Sequence, residues 1–100
     1  MTYAQENDAF RRLKILQLLV EDGGQASDDK LITAMRAVGE RIGLDLAAVR
    51  RMLRELEARD CLTIELVRDT VMVARITEHG RMAAAGDIMV GGVRSPFQGL

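Results

Sequence analysis

The sequence predicts a mainly helical α+β domain in the order α-α-α-β-β-α, closed by an extended C-terminal tail. Three observations carry this expectation. Leu46, Val49, Met52, Leu53 and Leu56 recur at about 100° per residue and fall on one side of a helix, with Arg50, Arg51 and Arg54 on the other. The stretches 62–67 and 71–76 directly after it alternate apolar and polar residues with period two. Upstream, two more segments carry apolar stripes at helical spacing, each stopped by glycine. Two helices, a basic amphipathic helix and then a hairpin is the order of a winged helix-turn-helix. The domain is expected over residues 1–86 and the tail over 87–100.

Composition sets the outer bounds. The chain has 100 residues, 48% of them hydrophobic and 29% charged, which suits one folded globular domain rather than a disordered chain. Aromatic residues are limited to Tyr3, Phe10 and Phe97, so the core must be built from Leu, Ile, Val, Met and Ala. Aromatic stacking of single-stranded nucleic acid is thereby disfavoured. Basic and acidic residues nearly cancel, 14 against 15, so any affinity for nucleic acid must come from local placement of arginines. Cys61 is the only cysteine, which excludes an internal disulfide and a cysteine-based zinc site. Glu6 and Asp8 interrupt the N-terminus before any apolar run, and no run is long enough to span a bilayer, so the expected location is the cytoplasm.

The elements follow in order. Thr2 with Gln5 has the spacing of a capping box, placing a helix start near Tyr3. Phe10, Leu13, Leu16, Leu19 and Val20 give this helix its stripe, Arg11, Arg12 and Lys14 lie off it, and Gly23-Gly24 ends it. Ser27 is an N-cap for a second helix, with Asp28 and Asp29 favourable in the first turn. Its apolar face is Leu31, Ile32, Met35 and Val38, and Gly39 and Gly43 mark its end. Asp45 caps the third helix, roughly Leu46 to Arg59. In the hairpin, pairing Val67 with Val71 puts Leu62, Ile64, Leu66, Met72, Ala74 and Ile76 on one face and lets Glu65 meet Arg75 diagonally. Thr77 opens a short helix, Glu78 to Ala85, stopped by Gly86. The remaining tail has no helical period and holds the only proline, Pro96.

Sites for catalysis are sparse. His79 is the only histidine and has no nucleophile or carboxylate motif beside it. Cys61 lies where a helix meets a strand, a position for filling a small apolar gap. Gly86, Gly91 and Gly92 are followed by no Lys-Ser or Lys-Thr pair, as a phosphate loop requires. The acidic pairs Glu21-Asp22 and Asp28-Asp29 read as helix-terminus residues rather than metal ligands. No cofactor and no enzymatic activity are expected.

The arginine face carries the functional content. Arginine can donate two hydrogen bonds to guanine in the major groove, or bind phosphate. The candidate DNA contacts are Arg50, Arg51, Arg54 and, from the hairpin turn, Arg68. The first turn of the third helix offers only Leu46, Ala47 and Ala48, which cannot hydrogen-bond a base edge. A solvated face laced with ion pairs has the same pattern: Arg51 stands four residues before Glu55, and residues 41–68 hold six basic and five acidic side chains. Two functions stay open on these residues, double-stranded DNA binding and a protein-interaction module.

The path from Leu44 through Gly86 resembles the small winged-helix regulators of the ArsR and MarR type. The matching residues are the helix end Glu55-Leu56-Glu57-Ala58-Arg59-Asp60-Cys61-Leu62, the hairpin, and Ile76-Thr77-Glu78-His79-Gly80-Arg81, similar to the L-T-x-x-G-R close of many wings. The ArsR metal-sensing cysteine motif is absent. Over almost the whole chain the sequence is similar to short ArsR-like proteins of Mu-like phages and prophages. The points of likeness are Leu31, Ala34 and Gly39, then Ala83-Ala84-Ala85-Gly86, then Val90-Gly91-Gly92-Val93-Arg94-Ser95-Pro96. Gly91 stands where that family often has proline, and the tail is less basic. The resemblance implies a prophage origin near packaging functions, with no assigned activity. The expected partners are double-stranded DNA, a second copy of the chain, or a phage protein.

Overall fold

A computed structural model describes residues 2–97. The chain runs α1 (Tyr3–Glu21), β1 (Gln25–Ser27), α2 (Asp28–Ala37), α3 (Leu46–Ala58), β2 (Leu62–Val67), β3 (Val71–Ile76) and α4 (Glu78–Ala85). The order is therefore α-β-α-α-β-β-α, which corrects the expected α-α-α-β-β-α by one strand. Among the described residues the fold is a compact α+β unit of four helices and a three-stranded antiparallel sheet in the order β1-β3-β2.

The extra strand comes from pairing alone. Gln25, Ala26 and Ser27 lie opposite Arg75, Ala74 and Val73, and Ile76 N–H donates to the Gly24 carbonyl at 2.8 Å. Three residues between a glycine pair and a helix cap have no periodicity of their own, so the sequence reads there as a loop. The pairing makes β3 the central strand.

The helix starts match their caps. Gln5 N–H donates to Thr2 Oγ1 while Thr2 N–H donates to Gln5 Oε1, a complete capping box. Ser27, Asp45 and Thr77 accept from the third residue of α2, α3 and α4 in the same way.

The helix ends share one motif. At the end of α3, Cys61 N–H donates to Leu56 O and Asp60 N–H to Glu57 O, so Asp60 takes the left-handed position (φ 61°) that glycine occupies after the other three helices. A β-carbon there is strained, and no side-chain bond of Asp60 to another described residue offsets it. Asp60→Gly is expected to stabilise the fold by about 0.5–1 kcal/mol, a rise in Tm of roughly 4 °C in a thermal melt.

The hairpin has the register read from the alternation, with Val67 opposite Val71. Arg68 and Asp69 both adopt positive φ (55° and 58°) and Thr70 N–H closes the turn on Val67 O, the geometry of a type I′ turn built without glycine. Leu62, Met72 and Ala74 reach the core, whereas Leu66 extends past it and stays exposed.

The core lies between the helices and one face of the sheet. Ile15, Leu16, Leu19, Met35, Val49, Met52, Leu53 and Leu56 are fully buried in it, and none of its members is aromatic. No helix among the described residues is long and apolar enough to cross a membrane. The described part of the tail, 87–97, docks on this body, and 98–100 lie outside the described residues. Ile88, Val90 and Val93 pack against the core, and Arg94 N–H donates to the Ala9 carbonyl of α1 at 3.1 Å.

Candidate nucleic-acid interface

The outer face of α3 is set by its buried back. With Val49, Met52, Leu53 and Leu56 turned inward, Ala47, Arg50, Arg51, Arg54, Glu55, Ala58 and Arg59 border a shallow open depression along the helix. Small alanines near its two ends leave room for close approach, and three arginines with Glu55 fill the middle.

The four candidate arginines are in different states. Arg54 and Arg68 are exposed and make no hydrogen bond or ion pair to another described residue. Arg51 is half exposed and held on both sides, by Glu55 at 3.1 Å and by Asp8 of α1 at 3.6 Å. The Arg51–Glu55 pair is the i,i+4 contact that the sequence allows.

Arg50 is committed inward. Its Nε donates to Asp28 Oδ2 at 2.7 Å and Nη2 donates to the Thr70 carbonyl in the β2–β3 turn. Asp28 is 1% exposed. Its other oxygen accepts from Asp29 N–H at 2.8 Å, and Oδ2 also takes Met72 N–H at 3.3 Å. One carboxylate thus joins the start of α2, the centre of α3 and the central strand. As a consequence, the arginine face of α3 and the hairpin turn bearing Arg68 are tied together.

Several arginines outside the candidate set prove structural. Arg11 and Arg12, which fall off the apolar stripe of α1, are 7% and 8% exposed. Arg11 donates to Glu40 at 2.9 Å and to the Ile42 carbonyl at 2.7 Å, fastening the α2–α3 loop. Arg12 donates to the Gly92 carbonyl at 2.9 Å and pairs with Glu55 at 3.1 Å. Arg36 bonds the Leu44 carbonyl, and Arg59 bonds the carbonyls of Glu55 and Gly91. These side chains have long apolar stems that bury well and forked heads that suit loop carbonyls. Nothing local in the sequence names their partners, which lie up to 80 residues away.

No group of three or more His, Cys, Asp or Glu side chains among the described residues is arranged to hold a metal ion. His79 is exposed on α4. Cys61 is buried, and its thiol donates to Arg59 O at 3.6 Å. Burial pushes the Cys61 thiol up from its ordinary pKa, Arg59 draws it down and Asp60 adds to the rise. The thiolate is the nucleophile, so native protein at pH 7 is expected to resist a thiol reagent and to react once unfolded in urea. A thiol whose pKa is higher folded than unfolded adds stability below its unfolded pKa. That contribution is lost as pH rises through the folded value.

Comparison of the chain with protein-family models, with curated proteins and with solved structures finds no match.

Proposed function

We propose that the chain is a winged helix-turn-helix protein that binds double-stranded DNA, with α3 in the major groove and the β2–β3 turn as the wing. The observation that carries this reading is the Arg50 bridge. By joining α3 to the Thr70 carbonyl, it holds the exposed arginines of α3 beside the turn that bears Arg68. Arg54 and Arg68 are uncommitted cations ready for phosphate or a guanine edge, and Arg51 exchanges its carboxylates for phosphate. Ala47 and Ala58 let the helix approach closely and suit a thymine methyl. Arg50 serves chiefly to position the wing. The resemblance to small proteins of Mu-like prophages is part of the same proposal.

The test is a titration of mixed-sequence duplex across salt concentrations. Three phosphate contacts, from Arg51, Arg54 and Arg68, give a log–log slope of about −2.7, and a fourth through Arg50 gives about −3.6. Arg54→Ala is expected to reduce the slope by about 0.9 and leave the melting curve unchanged, because the exposed side chain makes no hydrogen bond or ion pair to another described residue. Absence of binding at low salt overturns the reading.

A second reading rests on exposed apolar side chains. Ile42 (91%), Met89 (89%) and Phe97 (59%) stand in water, and two of them lie on the tail. They favour an adaptor in phage assembly or packaging that keeps the fold without binding DNA. A co-purifying phage protein lost on deleting residues 90–100 supports that reading. One retained after the deletion and after Arg51→Glu counts against both surfaces.

A further inference from the structure

We infer that the tail is a removable cover that withholds part of the α3 cationic stripe from DNA; the inference rests on the DNA-binding reading. Arg59 caps α3 and borders the same depression as Arg51 and Arg54. It stands eight residues after Arg51, about 12 Å farther along the helix and about 80° around it, at the far rim of the depression. In the docked state two of its five donors are taken by carbonyls, Nε by Gly91 of the tail at 2.8 Å and Nη1 by Glu55 of α3 at 2.8 Å. The Nε–Nη2 edge of the guanidinium also lies against Gly92. A β-carbon at Gly92 would come within 2.6 Å of Nη2 and 2.7 Å of Nε, so a larger residue there pushes the guanidinium aside.

Arg12 reinforces the cover from the other side. It binds the Gly92 carbonyl and Glu55, the carboxylate that restrains Arg51. The pair Gly91-Gly92 is thereby held by one arginine from α3 and one from α1. Val90 and Val93 anchor the flanks of the pair against the core. When the tail leaves, Arg59 exchanges the neutral Gly91 carbonyl for an anionic phosphate oxygen, which adds the attraction of two opposite charges to the hydrogen bond. Docked, the chain presents Arg51, Arg54 and Arg68; undocked, it adds Arg59.

The experiment compares the salt dependence of duplex binding in three proteins: the full chain, a chain ending at Asp87, and full-length Gly92→Ala. Gly92→Ala displaces the Arg59 guanidinium and strains a backbone at φ +84°, so it loosens the tail without removing the residues that cover the core. A thermal melt on each protein reports whether it is folded. Where the shortened chain lacks a cooperative melt, Gly92→Ala carries the measurement. Both variants are expected to steepen the log–log slope by about 0.9, a further 3.5-fold or so of affinity lost over a fourfold rise in salt. Adding Arg59→Met to either is expected to return the slope to that of the full chain. Equal slopes with and without a docked tail, or a steeper slope that survives Arg59→Met, overturn the cover while leaving the DNA reading intact. No binding by any of the proteins overturns the DNA reading itself.

Discussion

Asp28→Ala is expected to destabilise the fold by about 3–5 kcal/mol, the range for removing one partner of a buried ion pair. The carboxylate is almost fully buried and has three donors: Arg50 Nε, Asp29 N–H and Met72 N–H. Alanine takes the acceptor from Arg50 Nε and from two backbone donors, of which Met72 N–H is buried. The loss is large against the roughly 5–15 kcal/mol that holds a domain of this kind together. A urea titration is expected to show the midpoint falling by about 2 M, at a slope of 1–3 kcal/mol per molar. Arg50→Met is expected to cost a similar amount, because it strands the buried carboxylate and frees the Thr70 carbonyl. The double variant should lose less than the sum, with a coupling of about 1–3 kcal/mol. An unchanged midpoint in Asp28→Ala would overturn the central role given to this carboxylate. The consequence for function is direct: an Arg50 variant that fails to bind DNA reports on wing placement and stability together, whereas Arg54→Ala reports on contact alone.

What could be read from the sequence follows from what is local. The caps at Thr2, Ser27, Asp45 and Thr77 each need one side chain and the N–H three residues on, so they are legible. The hairpin register is legible because a slip of one residue turns every apolar side chain outward. The same register brings Arg75 to 4.0 Å from Glu65. Strand β1 is not legible, since three residues acquire strand character only from β3. Asp28 is a further case. Its first-turn position explains a helix-start aspartate fully, and no residue near it indicates that Arg50 and Met72 will close over the carboxylate. The candidate face divides in the same way. Exposure of Arg54 follows from helical periodicity, and so does the Arg51–Glu55 pair. The fate of Arg50 and Arg59 depends on carbonyls in a distant turn and tail. Local reading therefore finds the face and overcounts its uncommitted charges.

Gly80→Ala carries the second large effect, and its sign separates two accounts of the Thr77-Glu78-His79-Gly80-Arg81 stretch. If Gly80 were only a helix residue, alanine would stabilise α4 by about 1 kcal/mol. The structure places Gly80 against backbone instead. A β-carbon there would sit 2.0 Å from the Cys61 carbonyl oxygen, 2.9 Å from its carbon and 2.8 Å from Ile76 Cγ1. The Cys61 carbonyl cannot retreat, because it accepts Thr77 N–H at 3.0 Å, and Thr77 Oγ1 also donates to Asp60 O at 2.6 Å. Relief requires α4 to move off the end of β3 and break these bonds. Gly80→Ala is therefore expected to destabilise by about 3 kcal/mol, at the upper end for overpacking. Gly91→Ala is the control: its β-carbon meets nothing within 4 Å, and a surface change of that kind stays within about 0.5 kcal/mol. A Gly80→Ala protein that melts at or above the parent temperature would show that the close approach of α4 to Cys61 is absent in solution. A loss near the expected size explains why threonine, glycine and arginine stand at these spacings: Thr77 ties the helix start to Asp60 and Cys61, Gly80 lets it come near, and Arg81 spans to Gly24 at the root of β1.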